Sequence, residues 1–240
     1  MEKLTDEQLE KYYHSIALNE IKEEGQIKLL NSSVLVVGAG GLGSASLLQL
    51  TSMGIGRIGI IDNDVVKLDN LPRQLIYQKD DINKPKVLVA KKRLKKVNPD
   101  VEIKTYNYRL DESNAKRIIK KYDIVLDCTD NFETKFLIDD VCEKLKKPFV
   151  PAGVSDFKGQ VMTVIPPKTK DFKSLFSELP INIEEKYKDD DGVFPFAVSI
   201  ISLIAGSEVT KYFLGIETLL TDQLLVVDTL KMDFKKYKIC

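Results

Sequence analysis

The sequence predicts an α/β fold: a Rossmann-like, mostly parallel sheet with flanking helices, continued by C-terminal antiparallel strands. Three observations carry this expectation. Short β-branched apolar runs alternate with longer helical patterns through the first 155 residues, which is the rhythm of βαβ units. Val34 to Val37 form a continuous apolar run, as a strand buried on both faces must. After residue 155 the rhythm changes, and QLLVVDTLKMDFKKYKI reads as two closing strands.

The elements follow in order. Residues 1–30 read as a polar helical arm. Val34 to Val37 make the first strand, and Leu42 to Met53 a helix closed by Gly54. Arg57 to Ile61 make the second strand, 62–80 a long loop, and Lys84 to Val97 a helix stopped by Asn98-Pro99. Residues 101–106 form the third strand and 112–120 a helix. YDIVLDCTDN (122–131) is a strand running into a polar turn, Phe132 to Leu145 a helix, and 148–153 the fifth strand. KGQVMTVIPP reads as a strand with partial alternation, and 166–193 as a polar, acidic loop. A loop of that length is either functional or disordered. Phe194 to Leu214 read as an unusually apolar helix. With no internal repeat and no evident linker, one domain is expected over 1–240. It divides into the arm, a nucleotide-binding core at 33–155, and a final part at 156–240.

Composition narrows the function classes. The 240 residues are 43% hydrophobic and 30% charged, and 36 basic residues balance 36 acidic ones. A neutral chain has no general attraction for nucleic acid or an anionic membrane, so neither is expected as a partner. The basic run KKRLKK at 91–96 reads as the solvated face of a helix. The start, MEKLTDEQLEKYY, carries no charged-then-apolar leader, and the longest apolar stretch, VFPFAVSIISLIAG, is short for a bilayer. Cys128, Cys142 and Cys240 form no C-x-x-C and no disulfide framework. A cytoplasmic location is the expectation.

Gly38-Ala39-Gly40-Gly41-Leu42-Gly43 satisfies G-x-G-x-x-G between a strand and a helix. Such glycines let backbone N–H groups approach phosphate oxygens at a positive helix end. Close helix–strand packing alone is the other reading. Asp62 ends the next strand, where a carboxylate can accept from ribose hydroxyls. A ribose needs one carboxylate, yet Asp64 follows, and then Asn70, Arg73 and Gln74. Arg73 offers planar donors to phosphate, Asn70 an amide, and Lys86 a mobile positive charge. Asp130 sits in the turn after the fourth strand, facing the same crevice. An acid beside a polyphosphate is repelled unless a divalent cation intervenes, so Asp130 points to Mg²⁺. Asp64, Gln74 and Asn131 join the candidate nucleotide-binding set. Singly, each residue has an ordinary explanation, such as a surface ion pair or a helix cap. Together they describe a triphosphate site.

These stretches, GAGGLGS, DNDVVKLDNLPRQ, KPKV, NPDV, DCTDN and GVFPFAVSIISLIAGSEVTKYFLG, resemble the ThiF/MoeB/HesA family from about Tyr12 to the C-terminus. The resemblance implies enzymes that bind Mg-ATP and the Gly-Gly tail of a ubiquitin-like sulfur-carrier protein, in thiamin or molybdopterin synthesis. The tail carboxylate attacks the α-phosphorus, acyl-adenylate forms, and pyrophosphate leaves. Carried over by position, Gly41 and its loop approach the nucleotide and Asp62 holds ribose. Asn70, Arg73 and Lys86 hold phosphates, and Asp130 holds Mg²⁺, which makes Arg73, Lys86 and Asp130 the catalytic candidates. The apolar helix from Phe194 resembles a homodimer-forming segment, although a buried core helix also fits. Loop 166–193 resembles the segment that crosses over the carrier's tail.

Three departures qualify the resemblance. The family's two zinc-binding C-x-x-C pairs are missing: KSLFSEL (173–179) has no cysteine and the C-terminus has only Cys240, so no zinc is expected. Residues 156–239 carry no cysteine for a covalent link to the carrier, so the chain is expected to stop at the adenylate. Where relatives have an arginine that reaches a partner subunit's ATP, this sequence reads Tyr12-Tyr13-His14. A catalytically weak subunit of a heterodimer, and an adenylating relative of the tRNA-modifying dehydratases, are the alternatives. An NAD-linked oxidoreductase rests on the glycine loop and Asp62 alone.

Overall fold

The computed structural model describes residues 3–175 and 192–239. Its strands join in one eight-stranded sheet, in the order β3-β2-β1-β4-β5-β6-β7-β8. Strands β1 (Ser33–Val37), β2 (Arg57–Ile61), β3 (Glu102–Tyr106), β4 (Ile124–Asp127) and β5 (Phe149–Ser155) pair in parallel. Strands β6 (Lys158–Val161), β7 (Gln223–Asp228) and β8 (Asp233–Lys238) extend the sheet antiparallel. The fold class read from the sequence is the one observed.

Both faces of β1, β2, β4 and the start of β5 are covered, which explains their apolar runs, whereas the edge strand β3 alternates buried and exposed residues. Val34, Val36, Ile58, Ile60, Ile124 and Leu126 pack on one side with residues of α4 (Gly41–Ser52), α5 (Lys86–Val97) and α8 (Pro195–Leu214). Leu35, Val37, Ile61, Val125 and Phe149 pack on the other with α6 (Ala115–Ile119) and α7 (Phe132–Leu145). The N-terminal arm is three short helices, α1 (Asp6–Lys11), α2 (Tyr13–Ile16) and α3 (Lys22–Leu30). Tyr12, between the first two, is buried, and its hydroxyl accepts from Asn98 Nδ2 at 2.9 Å. That bond ties the arm to the end of α5.

Several boundaries differ from the sequence reading, each for a local reason. Helix α5 starts at Lys86, not Lys84, because Asn83 is left-handed (φ 66°) and residues 83–84 bond to the backbone of Val66. Helix α6 starts at Ala115, not 112. Asp111 accepts from Ser113 N–H at 2.9 Å and Asn114 accepts from Asp111 N–H at 3.2 Å, and these side-chain bonds compete with the helix. Strand β6 ends at Val161, after which Val164 pairs back with Phe149.

The loop expected at 166–193 begins as packed chain: Phe172 and Leu175 are buried in the core layer beneath α7. Its residues 176–191 lie outside the described residues. Helix α8 has 20 residues, and by length and composition alone it reaches across a bilayer. That corrects the stretch counted as too short. Its apolarity has a second cause in packing, because Val198, Ile201, Ala205 and Val209 are buried with α4 and the sheet. Phe196 and Leu203, however, remain 68% and 47% exposed.

Candidate functional site

In the order 3-2-1-4-5 the chain reverses direction across the sheet between β1 and β4, and a crevice opens outside the carboxyl ends of strands at such a point. A cleft of about 730 Å³ lies there, lined by residues at the ends of β1, β2, β4 and β5.

The glycine loop forms its floor. Gly38 has φ 91°, and a Cβ there would sit 2.8 Å from Cys128 O, so the turn accepts no side chain. Both backbone polar groups of the next residue are held. Ala39 N–H donates to Asp62 Oδ2 at 2.7 Å, and Ala39 C=O accepts from the Tyr77 hydroxyl at 2.7 Å. Burial, reinforced by Asp62 and Asp64, pushes the Tyr77 phenol upward, which keeps it a donor. No side chain caps α4, whose first residue is Gly41. Its leading N–H groups and positive dipole end stand at the cleft without a protein anion.

Asp62 therefore has two functions open to it. Besides Ala39, it accepts from Asp64 N–H at 2.7 Å through Oδ1. Each carboxylate oxygen has a further lone pair for a hydroxyl donor. Asp64 lines the cleft and also has a protein partner. Its Oδ2 accepts from Lys86 Nζ at 2.9 Å, and the lysine side chain is 6% exposed against 56% for the acid. Asp64 thus holds a buried ammonium at the cleft wall.

The loop after β2 supplies the rest of this wall. Arg73 Nη1 donates to Asp69 O at 2.7 Å, which lays the guanidinium along the cleft. Asn70 is buried and its amide is engaged within its own turn. Lys67 N–H donates to Asn70 Oδ1 at 3.1 Å, and Asn70 Nδ2 donates to Asp69 Oδ2 at 3.1 Å. Gln74 is buried, and its Oε1 has no hydrogen-bond partner among the described residues.

The opposite wall is the turn after β4. Asp127 is fully buried; its Oδ1 accepts from Thr129 N–H at 2.9 Å and Thr129 Oγ1 at 2.7 Å. Lys135 Nζ donates to Asp127 Oδ2 at 3.2 Å and to Ala152 O at 2.7 Å. Asp130 is exposed at the cleft, and its Oδ1 accepts from Asn131 Nδ2 at 3.4 Å. Asn131 caps α7 by accepting from Thr134 N–H at 2.9 Å. Cys128 and Cys142 are buried, and burial pushes both thiols upward.

Of the residues read from sequence, Gly38, Gly40, Gly41, Asp62, Asp64, Asn70, Arg73, Gln74, Lys86, Asp130 and Asn131 all line the cleft. Gly43 does not. A Cβ there would collide with Gly38 O, so this glycine serves helix–strand packing. His14 is exposed on α2, edge-on to Tyr13. Cys240 and residues 176–179 of the zinc-less stretch lie outside the described residues. Sequence reasoning missed Tyr77, Arg109 and Lys135. Arg109 lines the cleft and pairs with Glu133 at 2.5 Å. The signal for Lys135 was present: it shares the buried stripe of α7 with Ile138, Asp139 and Cys142. A lysine on a core-facing stripe needs a buried partner. Among the described residues no group of three or more His, Cys, Asp or Glu converges on a metal position.

Fold and cleft together define a doubly wound α/β protein with its ligand site at the strand ends. A model of the ThiF family matches residues 12–240, and the chain belongs to that family. It is 38% identical over 241 residues to the probable molybdopterin-synthase adenylyltransferase of Porphyra purpurea, covering 97% of this chain and 61% of that relative. It is 36% identical over 240 residues to the sulfur carrier protein adenylyltransferase of Thermus thermophilus, covering 98% of this chain and 89% of the other. Among solved structures, E. coli MccB with MccA-N7isoASN matches with a TM-score of 0.84 at 21% identity, covering 96% of this chain and 72% of that one. At that identity the likeness concerns the fold.

Proposed function

We propose that this chain is an ATP-dependent adenylyltransferase that activates the C-terminal Gly-Gly carboxylate of a ubiquitin-like sulfur carrier. The observation that supports this most is the set of groups gathered in the cleft. Uncapped helix N–H groups, Arg73 and Lys86 line it together with Asp130, an exposed carboxylate without an ion pair among the described residues. A hydride-transfer site has no use for that arrangement, whereas a triphosphate does. The names of the two relatives support the same reaction class, and the first supports a carrier of the molybdopterin type.

In this reading the glycine loop and Asp62 hold the nucleoside end. Arg73 and Lys86 neutralise phosphate charge, which eases attack by an anion. A carboxylate oxygen of the tail forms a bond to the α-phosphorus, and the bond to the β-bridging oxygen breaks. Pyrophosphate carries away the electron pair, and no proton need move. Gly153, Val154, Gln160 and Val193 line the part of the cleft beyond the phosphate cations, which is small-sided enough for an extended tail. Positioning supplies the remaining rate advantage.

Asp130 fits Mg²⁺. This ion is bound through one or two carboxylates plus phosphate oxygens and waters, without a full protein cage. When bound there it supplies charge neutralisation between the phosphates and Asp130. The exposed Phe196 and Leu203 support a second copy of the chain packing on α8, and the cysteine usage supports a cytoplasmic enzyme. The test is ATP–pyrophosphate exchange with a carrier ending in Gly-Gly. Exchange that disappears when the last two glycines are removed is the expected result. Nucleotide binding without exchange for any carrier would overturn the proposal.

A further inference from the structure

Lys135 stands where the sheet divides. The parallel pairing of β4 with β5 ends at Asp127 and Pro151. From there β4 turns into residues 128–131, and β5 continues along β6 and into the cleft wall at Gly153. The Lys135 side chain is 7% exposed, and its ammonium bridges that fork, donating to Asp127 Oδ2 on one prong and Ala152 O on the other.

The turn itself is built by two side-chain devices. Asp127 folds it inward by accepting twice from Thr129, and Asn131 starts α7 by accepting from Thr134. Asp130 lies between them with no ion-pair partner among the described residues. Apart from the long 3.4 Å bond from Asn131 Nδ2, the position of its carboxylate depends on the backbone that carries it. A buried carboxylate such as Asp127 needs a paired and hydrogen-bonded partner, and Lys135 is that partner. An apolar residue would suit the core layer as well. What a cation adds there is a donor that spans Asp127 and Ala152 O at once.

We propose that Lys135 is a positioning residue: it locks the Asp130-bearing turn to β5, so that the metal-binding carboxylate and the wall that receives the tail keep a fixed separation. This rests on the reading of Asp130 as the Mg²⁺ ligand. Outer-shell groups that orient a metal ligand typically change metal affinity ~10–100-fold when removed.

The experiment measures binding of a non-hydrolysable ATP analogue with Mg²⁺ and with chelator, and takes the ratio of the two Kd values. Thermal melting of each protein is recorded alongside. Lys135→Met leaves Asp127 buried and unpaired, and it is expected to melt early. The double variant Asp127→Asn/Lys135→Met removes both charges and keeps an acceptor for Thr129. It should stay folded, while its Mg²⁺-dependent ratio falls ~10-fold from the wild-type value. Lys135→Arg keeps charge and both donors and should restore most of the ratio. A folded double variant with an unchanged ratio overturns the proposal. Wild-type binding that ignores Mg²⁺ also overturns it, through the metal assignment. Wild-type binding that needs Mg²⁺ but supports no carrier-dependent exchange overturns the adenylation reading and leaves the role of Lys135 standing.

Discussion

Gly41→Ala tests whether α8 helps shape the nucleotide cleft. The added Cβ would sit 2.8 Å from Val198 Cγ1. Ordinary carbon contacts lie at about 3.5–4.0 Å, so the overlap is roughly 0.7–1.2 Å. Val198 has little room to yield: it is buried, in the first turns of α8, and a β-branched side chain in a helix is largely confined to one rotamer. Overpacking of this kind costs about 1–3 kcal/mol. In a chain of this size each kcal/mol lowers Tm by about 2–4 °C. The displaced loop carries the leading N–H groups of α4, so affinity for an ATP analogue falls too. Val198→Ala removes the obstructing methyl, and in the double variant the methyl added at position 41 takes part of the space. The two changes should therefore couple favourably, by about 0.5–3 kcal/mol. Thermal unfolding of the four proteins, with analogue titration of each, gives the cycle. Additive effects, or a Gly41→Ala protein as stable as the parent, would show that the contact is not the constraint described.

Other perturbations separate chemistry from folding. Lys86→Met should change stability by less than about 1 kcal/mol, because its Asp64 partner is 56% exposed. Pyrophosphate exchange should fall about 10²–10³-fold with the loss of a charged phosphate contact. Asp130→Ala should abolish exchange and leave the melting curve unchanged, since Asn131 still caps α7. Gly43→Ala should yield little folded protein, because the new Cβ collides with backbone at Gly38. Asp139 gives a pH signature: burial pushes its carboxyl up from 3.8 to about 6, against the pull of the Lys173 and Phe172 N–H groups. The folded state therefore binds this proton more tightly than the unfolded chain. Its contribution to stability is full below about pH 4 and is lost as pH rises through about 6. Melting across that range should show the decline, and Asp139→Asn should remove it.

The parallel core was legible because strands covered on both faces must be largely apolar, and VLVV, IGII and IVL at the centres of β1, β2 and β4 meet that condition. The cleft was legible because the sequence places its residues at strand ends, where the topology converges. What stayed hidden depended on contacts between distant segments. Asp64 reads only as one of the nucleotide-binding set, and its bond to Lys86, 22 residues away, shows in the structure alone. Lys135 looks like one more surface lysine unless its place on the stripe of Ile138 and Cys142 is weighed. Gly43 fits the phosphate motif by spacing, but it is required by Gly38 O, which no spacing rule reveals. The packed start of the 166–193 segment depended on Phe172 finding the face of α7, and the surrounding lysines and acids obscured it.

The most direct measurement is the intact mass of a Gly-Gly-ended sulfur carrier after incubation with this protein, ATP and Mg²⁺. The expected result is a new species heavier by one adenylyl group, strongly reduced when Arg73 or Lys86 is replaced and absent when the two glycines are deleted. A carrier whose mass never changes, while the protein binds the nucleotide fully, would contradict it.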